Sequence, residues 1–143
     1  MDFLTALHIS STGLTAQRTT MNVISTNLAN VNTTRTPGGI PYRRRVAVME
    51  AKPVEDFESA LNSQSESLCG VRVSEIVEEM TPFRHVYRPG HPDANEMGYV
   101  SFPNVNVVTE TTDIMLARRS YEANVTAISA TKRMALKALE IGK

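Results

Sequence analysis

The chain has 143 residues, of which 41% are hydrophobic, so it is long enough for one modest folded domain but short for two. Its 15 basic residues balance 15 acidic ones, and this zero net charge excludes the overall basic field that attracts nucleic acid or anionic lipid. The single cysteine, Cys69, excludes an internal disulfide and a multi-cysteine metal site, so we expect its thiol to be structural or a bystander.

The first 34 residues carry only two charges, while 15 of them are Ser, Thr or Asn. A surface helix normally shows a charged outer face, so this composition indicates a helix that something other than water covers. Two apolar series recur within it at seven-residue spacing, which predicts apolar residues on two sides of one helix. They are Leu7, Leu14, Met21 and Leu28 and, about 200° away around the helix, Ile9, Ala16 and Val23. The alternative is an ordinary helix buried in a globular core.

Three asparagines, Asn27, Asn30 and Asn32, mark the predicted end of this helix. Asparagine tolerates left-handed backbone conformations and can satisfy the free carbonyl groups of a helix end. The sequence Thr-Pro-Gly-Gly at residues 36–39 then predicts a turn.

The middle of the chain has the pattern of strands. Apolar and polar residues alternate roughly over 41–50, and further strand candidates cover 71–80 and 82–88. Residues 55–68 are acidic and polar, and we assign no fixed structure to them. Residues 51–80 hold seven acids and two bases, so the zero net charge conceals an acidic middle between neutral or weakly basic ends.

The C-terminal segment predicts a long helix over about 110–141, with Thr109 or Thr112 as its N-cap and Gly142 as its stop. Apolar or small residues again recur every seven positions, on more than one side of the helix. The series are Val107, Ile114, Tyr121, Ile128 and Ala135, and Leu116, Ala123 and Ala130. Val125, Lys132 and Leu139 mark a row adjacent to the first series.

These elements predict an α+β protein whose two ends pair with each other. An N-terminal helix in 1–34 and a C-terminal helix in 107–143 form an antiparallel coiled coil, because the chain must go out and return. Residues 35–106 form a small β-rich middle region with loops.

The residues that carry chemistry do not form a catalytic or metal-binding pattern. His85, His91 and Asp93 lie around a Pro/Gly loop, away from the i, i+4 spacing of a helical zinc site. Glu78 and Glu79 are neighbours on a strand candidate and point to opposite faces, so they cannot flank one scissile bond. A charged strand edge that discourages unwanted pairing explains them better.

The best nucleic-acid candidate is the run of three arginines at 43–45, beside Tyr42. The run stands alone and strand alternation splits it between two faces, so a salt-bridging surface role is favoured. The sequence accordingly predicts no enzyme, no cofactor, no metal site, no small-molecule substrate and no nucleic-acid partner.

Three blocks of sequence are more specific than the composition. The first is NLANVNTTRTPGGIPYRRR at 27–45, the second is HPDA at 91–94 with GYV at 98–100 and PNVN at 103–106, and the third is YEANV at 121–125 with ALEIG at 138–142. In this order they resemble the flagellar basal-body rod proteins. The resemblance covers essentially the whole chain and is least at about 50–90.

The resemblance implies a structural subunit of the bacterial flagellar basal-body rod, in its proximal part, that assembles helically into a torque-transmitting, export-conducting shaft. It implies as partners copies of itself, other rod proteins, a basal-body ring adaptor and the flagellar type III export apparatus. It places the chain in the periplasm-spanning rod, and the missing basic N-terminal region predicts export without a cleaved Sec signal.

The terminal helices would form the assembly interface. The residues expected there are Leu7, Leu14, Met21, Leu28, Asn27, Asn30, Asn32, Ile114, Tyr121, Asn124, Val125, Ile128 and Leu139. Two functions of other classes stay open: a cell-wall-acting enzyme associated with the rod, and a coiled-coil adaptor that binds nucleic acid through arginines 43–45.

Overall fold

Two long helices occupy the ends of the chain, and four strands lie between them. The computed structural model describes residues 3–53 and 68–141. The elements in chain order are α1 (Phe3–Ala29), β1 (Arg45–Pro53), β2 (Cys69–Glu78), β3 (Arg84–Tyr87), β4 (Tyr99–Phe102) and α2 (Val107–Ile141). The predicted α+β class is confirmed.

The start of α2 differs from the prediction. The Asn106 side-chain oxygen accepts a hydrogen bond from the Val108 backbone N–H at 3.0 Å, so Asn106 caps the helix, and neither Thr109 nor Thr112 does. Both threonines lie inside the helix, and the Thr112 hydroxyl donates to the Val108 carbonyl. The predicted stop at Gly142 lies outside the described residues.

The backbone at the end of α1 does not adopt the left-handed conformation that asparagines tolerate. In the described residues positive φ angles occur only at Gly39 and Gly98, so none of the three asparagines is left-handed. Asn30 nevertheless satisfies a helix carbonyl, because its side-chain Nδ2 donates to the Thr26 oxygen at 2.9 Å.

The two helices pair antiparallel, as predicted. Near one end of the pair, the Asn27 side chain donates a hydrogen bond to the Glu110 carboxylate. Farther along, Gly13 lies so close to Asn124 that a Cβ added to the glycine would be 3.0 Å from Nδ2 of the asparagine. The two contacts are separated by 14 residues along each helix, so the helices keep one register over two heptads.

The apolar core lies where α1 meets α2, the first strand and the loop before α2. In α1 it uses Ala16 and Val23 from one predicted series, together with Ile24. Ala117 of α2 is also buried. Burying apolar side chains stabilises the fold by roughly 25 cal/mol per Å².

The strands form two separate antiparallel pairs. β1 and β2 run from the pair Arg45 and Glu78 to the pair Pro53 and Cys69, with an irregularity after Val48. This hairpin lies along α1, where the Val71 backbone N–H donates to the Thr12 hydroxyl at 3.2 Å.

The second pair joins β3 to β4, with Arg84 opposite Phe102 and Tyr87 opposite Tyr99. The sequence analysis did not predict β4, which has four residues between a turn and Pro103. So short a strand is too short for an alternation of apolar and polar residues to be recognised. The predicted strands at 41–50 and 71–80 also run past the observed ends at Arg45 and Glu78. Most of segment 55–68 lies outside the described residues. Among those described, no helix is long and apolar enough to span a membrane.

Candidate assembly surface and the polar cluster behind it

A buried asparagine joins α1 to the first strand. Asn27 is fully buried, and its amide nitrogen donates to the Arg45 carbonyl at 2.8 Å and to the Glu110 carboxylate at 2.9 Å. Its amide oxygen accepts from the Tyr42 hydroxyl and from the Arg45 backbone N–H, both at 2.9 Å. Both N–H donors and both acceptor positions of the amide are therefore used. An unpaired amide buried at this position would destabilise the fold.

A buried carboxylate anchors α2 at the same place. Glu110 is fully buried in the first turn of α2, and its second oxygen accepts from Arg44 Nε at 2.6 Å. Arg44 also pairs with Glu79 at 2.9 Å and with Asp113 at 3.3 Å. A buried charge is stable only when it is paired and hydrogen-bonded, and here both conditions are met.

Asn104 completes the cluster from the loop before α2. Its side-chain oxygen accepts from the Arg44 backbone N–H at 2.8 Å, and its amide donates to the Glu79 carbonyl at 3.0 Å. We call Asn27, Tyr42, Arg44, Asn104 and Glu110 the polar cluster. It fixes both terminal helices to the beginning of β1.

The environment keeps two cluster groups protonated. Burial raises the pKa of the Tyr42 hydroxyl, with nearby Arg45 opposing this and Glu110 adding to it. Burial lowers the pKa of the Arg44 guanidinium, but its hydrogen bonds to Glu110 and Glu79 outweigh burial and leave that pKa raised. Tyr42 therefore stays a neutral donor, and Arg44 stays a cation.

Away from the cluster, α2 exposes apolar side chains on several sides. Leu116 is 56% exposed, Val125 41% and Leu139 70%. Val125 and Leu139 share one side of the helix, and Leu116 lies on the opposite side from Val125. The other large apolar residues of α2 that are exposed are Val107, Val108, Met115, Met134 and Leu136. A helix that exposes apolar side chains on more than one side is suited to burial among other chains.

Comparison with known proteins shows the family of this chain. A family model described as "Flagella basal body rod protein" matches residues 7–35, and one described as "Flagellar basal body rod FlgEFG protein C-terminal" matches residues 96–141. The chain is 49% identical to the flagellar basal-body rod protein FlgC of Bacillus subtilis, over 96% of this chain and 97% of that protein. It is 40% identical to FlgC of Borreliella burgdorferi and 37% to FlgC of Escherichia coli O157:H7, each over at least 98% of both chains.

The chain belongs to the FlgC family of flagellar basal-body rod proteins. It is thus a structural subunit of the rod, located in the flagellar basal body. The two family models match the two helical ends, which the polar cluster joins.

The predicted interface residues of this FlgC-family chain divide by their exposure. Nine are half-buried in the single chain: Leu7, Leu14, Met21, Leu28, Asn30, Ile114, Tyr121, Asn124 and Ile128. Val125, Leu139 and Asn32 are exposed. Asn27 lies in the polar cluster, so its first role is within the chain.

The other chemical candidates have partners within the rod protein. The His85 ring nitrogen lies 3.1 Å from the Ser101 hydroxyl, and the His91 ring nitrogen accepts from the Asp93 backbone N–H at 3.1 Å. Asp93 also accepts from the Thr34 hydroxyl at 2.8 Å. In residues 3–53 and 68–141, no group of three or more His, Cys, Asp or Glu is placed to hold a metal.

The arginine run and the glutamate pair meet each other. Arg44 pairs with Glu79 and Arg45 with Glu78, so the two glutamates serve ion pairs rather than only a charged strand edge. The Arg44 side chain is only 21% exposed, so its ion pairs lie mostly inside the fold and not on the surface, where they were predicted. Cys69 is exposed.

Sequence reasoning missed Tyr42, Arg44, Asn104 and Glu110 as members of one cluster. A signal for Glu110 is present, because it lies seven residues before the buried Ala117 and hence on the same side of α2. A charged residue on a core-facing row of a helix predicts a buried ion pair.

Proposed function

We propose that this chain assembles helically through its terminal helices, forming a stiff shaft that transmits torque and conducts exported subunits. The partners are copies of itself and other rod proteins, with a ring adaptor and the flagellar type III export apparatus at the assembled rod. The chain crosses to the periplasm through that apparatus. Residues 1–34 and 107–143 form the inner layer, and residues 35–106 lie outside it.

The apolar exposure of α2 carries this proposal. Intramolecular packing uses one side of α2, on which Ala117 is buried, and leaves Leu116 and Val125 exposed on two others. Helical neighbours would cover those sides and continue the heptad spacing from one chain to the next. Contacts between unlike surfaces that do not close into a ring generate a helical filament, which is the geometry of a rod.

Substitutions on the exposed sides of α2 test the proposal without disturbing the single chain. We expect Leu116→Glu and Val125→Glu to abolish rods and swimming when each replaces the native protein in a cell that lacks it. The matched controls, Leu116→Met and Val125→Ile, keep the apolar surface and should swim normally. Circular dichroism of the purified variants should match that of the native chain.

Half-buried positions give a second arm of the same experiment. Leu14→Glu and Ile128→Glu should also prevent rod assembly, while export of the protein from the cell continues. Normal swimming of the two α2 surface variants, at native expression, would rule out assembly through this helix.

A further inference from the structure

The last turns of α2 extend past the beginning of α1. Among the described helices and strands, α2 packs against α1 alone, and the register of the pair places Met134 opposite Phe3, where α1 begins. Residues 136–140 are all exposed, and five consecutive residues of a helix point to all of its sides. This end of α2 is therefore open on every side in the described part of the chain. We call residues 132–141 the α2 tail.

One side of the α2 tail carries apolar and basic side chains together. Leu136 and Leu139 are exposed and lie about 60° apart around the helix. Lys132 lies between them when the helix is viewed along its axis, and Arg133 lies at the edge of this row. Among the described residues, neither of these two cations pairs with a carboxylate. The tail therefore presents apolar surface together with two uncompensated positive charges.

A groove near the polar cluster, toward the other end of the helical pair, has the matching character. It lies between α1, the start of β1 and α2, and its volume is about 280 Å³. Leu116 of α2 is exposed where it lines this groove, whereas Ile24 and Ala117 beside it are buried. Val46 and Ala47 of β1 add to the apolar lining, so the groove offers apolar surface to an incoming helix. We call it the α1–α2 groove.

The charge around the α1–α2 groove is negative. Three carboxylates share the single guanidinium of Arg44: Glu110 at 2.6 Å, Glu79 at 2.9 Å and Asp113 at 3.3 Å. The other cation that lines the groove, Arg45, has a carboxylate partner of its own. One positive charge does not compensate three negative ones, and Asp113 lines the groove with 38% of its side chain exposed. Its carboxylate can therefore accept hydrogen bonds from a further cation.

We propose that the α2 tail of one copy of this chain docks in the α1–α2 groove of a neighbouring copy, with Lys132 and Arg133 beside Asp113. The tail cannot fill the groove of its own molecule, because Lys132 and Asp113 are 19 positions apart on one helix, or about 28 Å. Residues 54–67 hold four acids and no basic residue, so their charge does not complement the groove. Tail and groove are different surfaces, so the contact repeats from copy to copy without closing. The inference rests on the proposed function, since it names the surfaces through which the helices assemble.

Charge reversal on each side, and then on both, tests the docking in cells where the variant replaces the native protein. The tail variant is Lys132→Glu with Arg133→Glu, and the groove variant is Asp113→Lys. Because like charges then face each other, we expect each variant to lower the number of rods per cell about tenfold or more. The combined variant should return that number to within about threefold of native, since opposite charges face each other again.

Controls separate the docking from general effects of charge and folding. Arg119→Glu reverses an exposed cation on another side of α2 and should leave the number of rods unchanged. Asp113 also pairs with Arg44, so the second groove variant is Asp113→Asn, which keeps a hydrogen-bond acceptor for that guanidinium. It should fold like the native chain by circular dichroism and still lower the number of rods about threefold or more.

Disulfide crosslinking in a Cys69→Ser background tests the contact directly. A chain with Leu116→Cys and Leu136→Cys carries one cysteine in the groove and one in the tail. The two positions are about 30 Å apart on one helix, too far for a bond within one chain. Oxidised rods should give a ladder of multimers, whereas a mixture of the two single-cysteine chains should give dimers only. The matched control, Arg119→Cys with Leu136→Cys, should stay monomeric.

The docking is overturned if the tail variant assembles normally, if the combined variant is no better than the worse single one, or if the Leu116→Cys, Leu136→Cys chain stays monomeric in swimming cells. When Val125→Glu still abolishes rods, such a result removes this contact alone and leaves the helix-driven assembly intact. Normal rods in Val125→Glu, in Leu116→Glu and in the tail variant would instead remove both proposals.

Discussion

At the scale of single residues, the most constrained position is Glu110. One of its oxygens accepts from Asn27 and the other from Arg44, and no part of its side chain is exposed. A carboxylate is suited to this site because it is an acceptor on both oxygens. The sequence identified Asn27 by its place in an asparagine-rich helix end, but its partner is 83 positions away and no local pattern specifies it.

We expect Glu110→Gln to destabilise the chain although it preserves the size of the side chain. A glutamine must turn its NH₂ group toward either the Asn27 amide or Arg44, both of which are donors. Breaking a buried pair on one side typically costs about 3–5 kcal/mol, so we expect a loss of about 2–4 kcal/mol in urea unfolding. Glu122→Gln on the exposed side of α2 is the control, and loss of its surface pair with Arg118 should cost at most about 1 kcal/mol. Equal midpoints for the two variants would contradict this role.

At the scale of elements, the features that could be predicted from the sequence are those with a long apolar periodicity, namely the two helices. Seven-residue spacing predicted both helices, because apolar periodicity persists over many turns, and their antiparallel pairing followed from the need of the chain to go out and return. Ends and short strands were less accessible: the N-cap is Asn106, and β4 has four residues, since a cap or a short strand depends on one or two side chains. The sequence also did not determine which of the two apolar series of α1 faces the core. The buried side of α1 depends on where the β1–β2 hairpin packs against it.

The close approach of the helices at Gly13 leads to a prediction about α1 and α2 together. A methyl group on Gly13 favours the helix by about 1 kcal/mol, but it would lie 3.0 Å from the Asn124 amide. We expect Gly13→Ala to stabilise the chain more in an Asn124→Ala background than alone, with a coupling of about 0.5 kcal/mol or more. Gly13→Ala with Asn22→Ala, about 13 Å apart along the helix, should be additive. A double-mutant cycle in urea measures both, and an additive Gly13–Asn124 pair would refute the steric account.

At the scale of the whole molecule, the polar cluster lies at one end of the helical pair. Asn27 and Glu110 meet there, while the opposite end holds the start of α1 and the last turns of α2. Continuing the register set by Gly13 and Asn124 places residue 134 opposite Phe3, so residues 135–141 of α2 extend past α1. The fold is therefore anchored at one end and incomplete at the other, which fits a subunit whose helices are finished by neighbours.

This asymmetry predicts a gradient of amide hydrogen exchange in the isolated chain. Amides of residues 20–29 and 110–121, close to the polar cluster, should exchange at least about tenfold more slowly than those of residues 3–10 and 132–141, because helix ends without packing partners open locally. In assembled rods the two slow and two fast regions should become equally protected, since neighbours then cover the free ends. Mass spectrometry of both states measures the gradient, with Leu116→Glu as the form that stays unassembled. Uniform, full protection of both helices in the dilute native chain would show that the ends do not depend on neighbours.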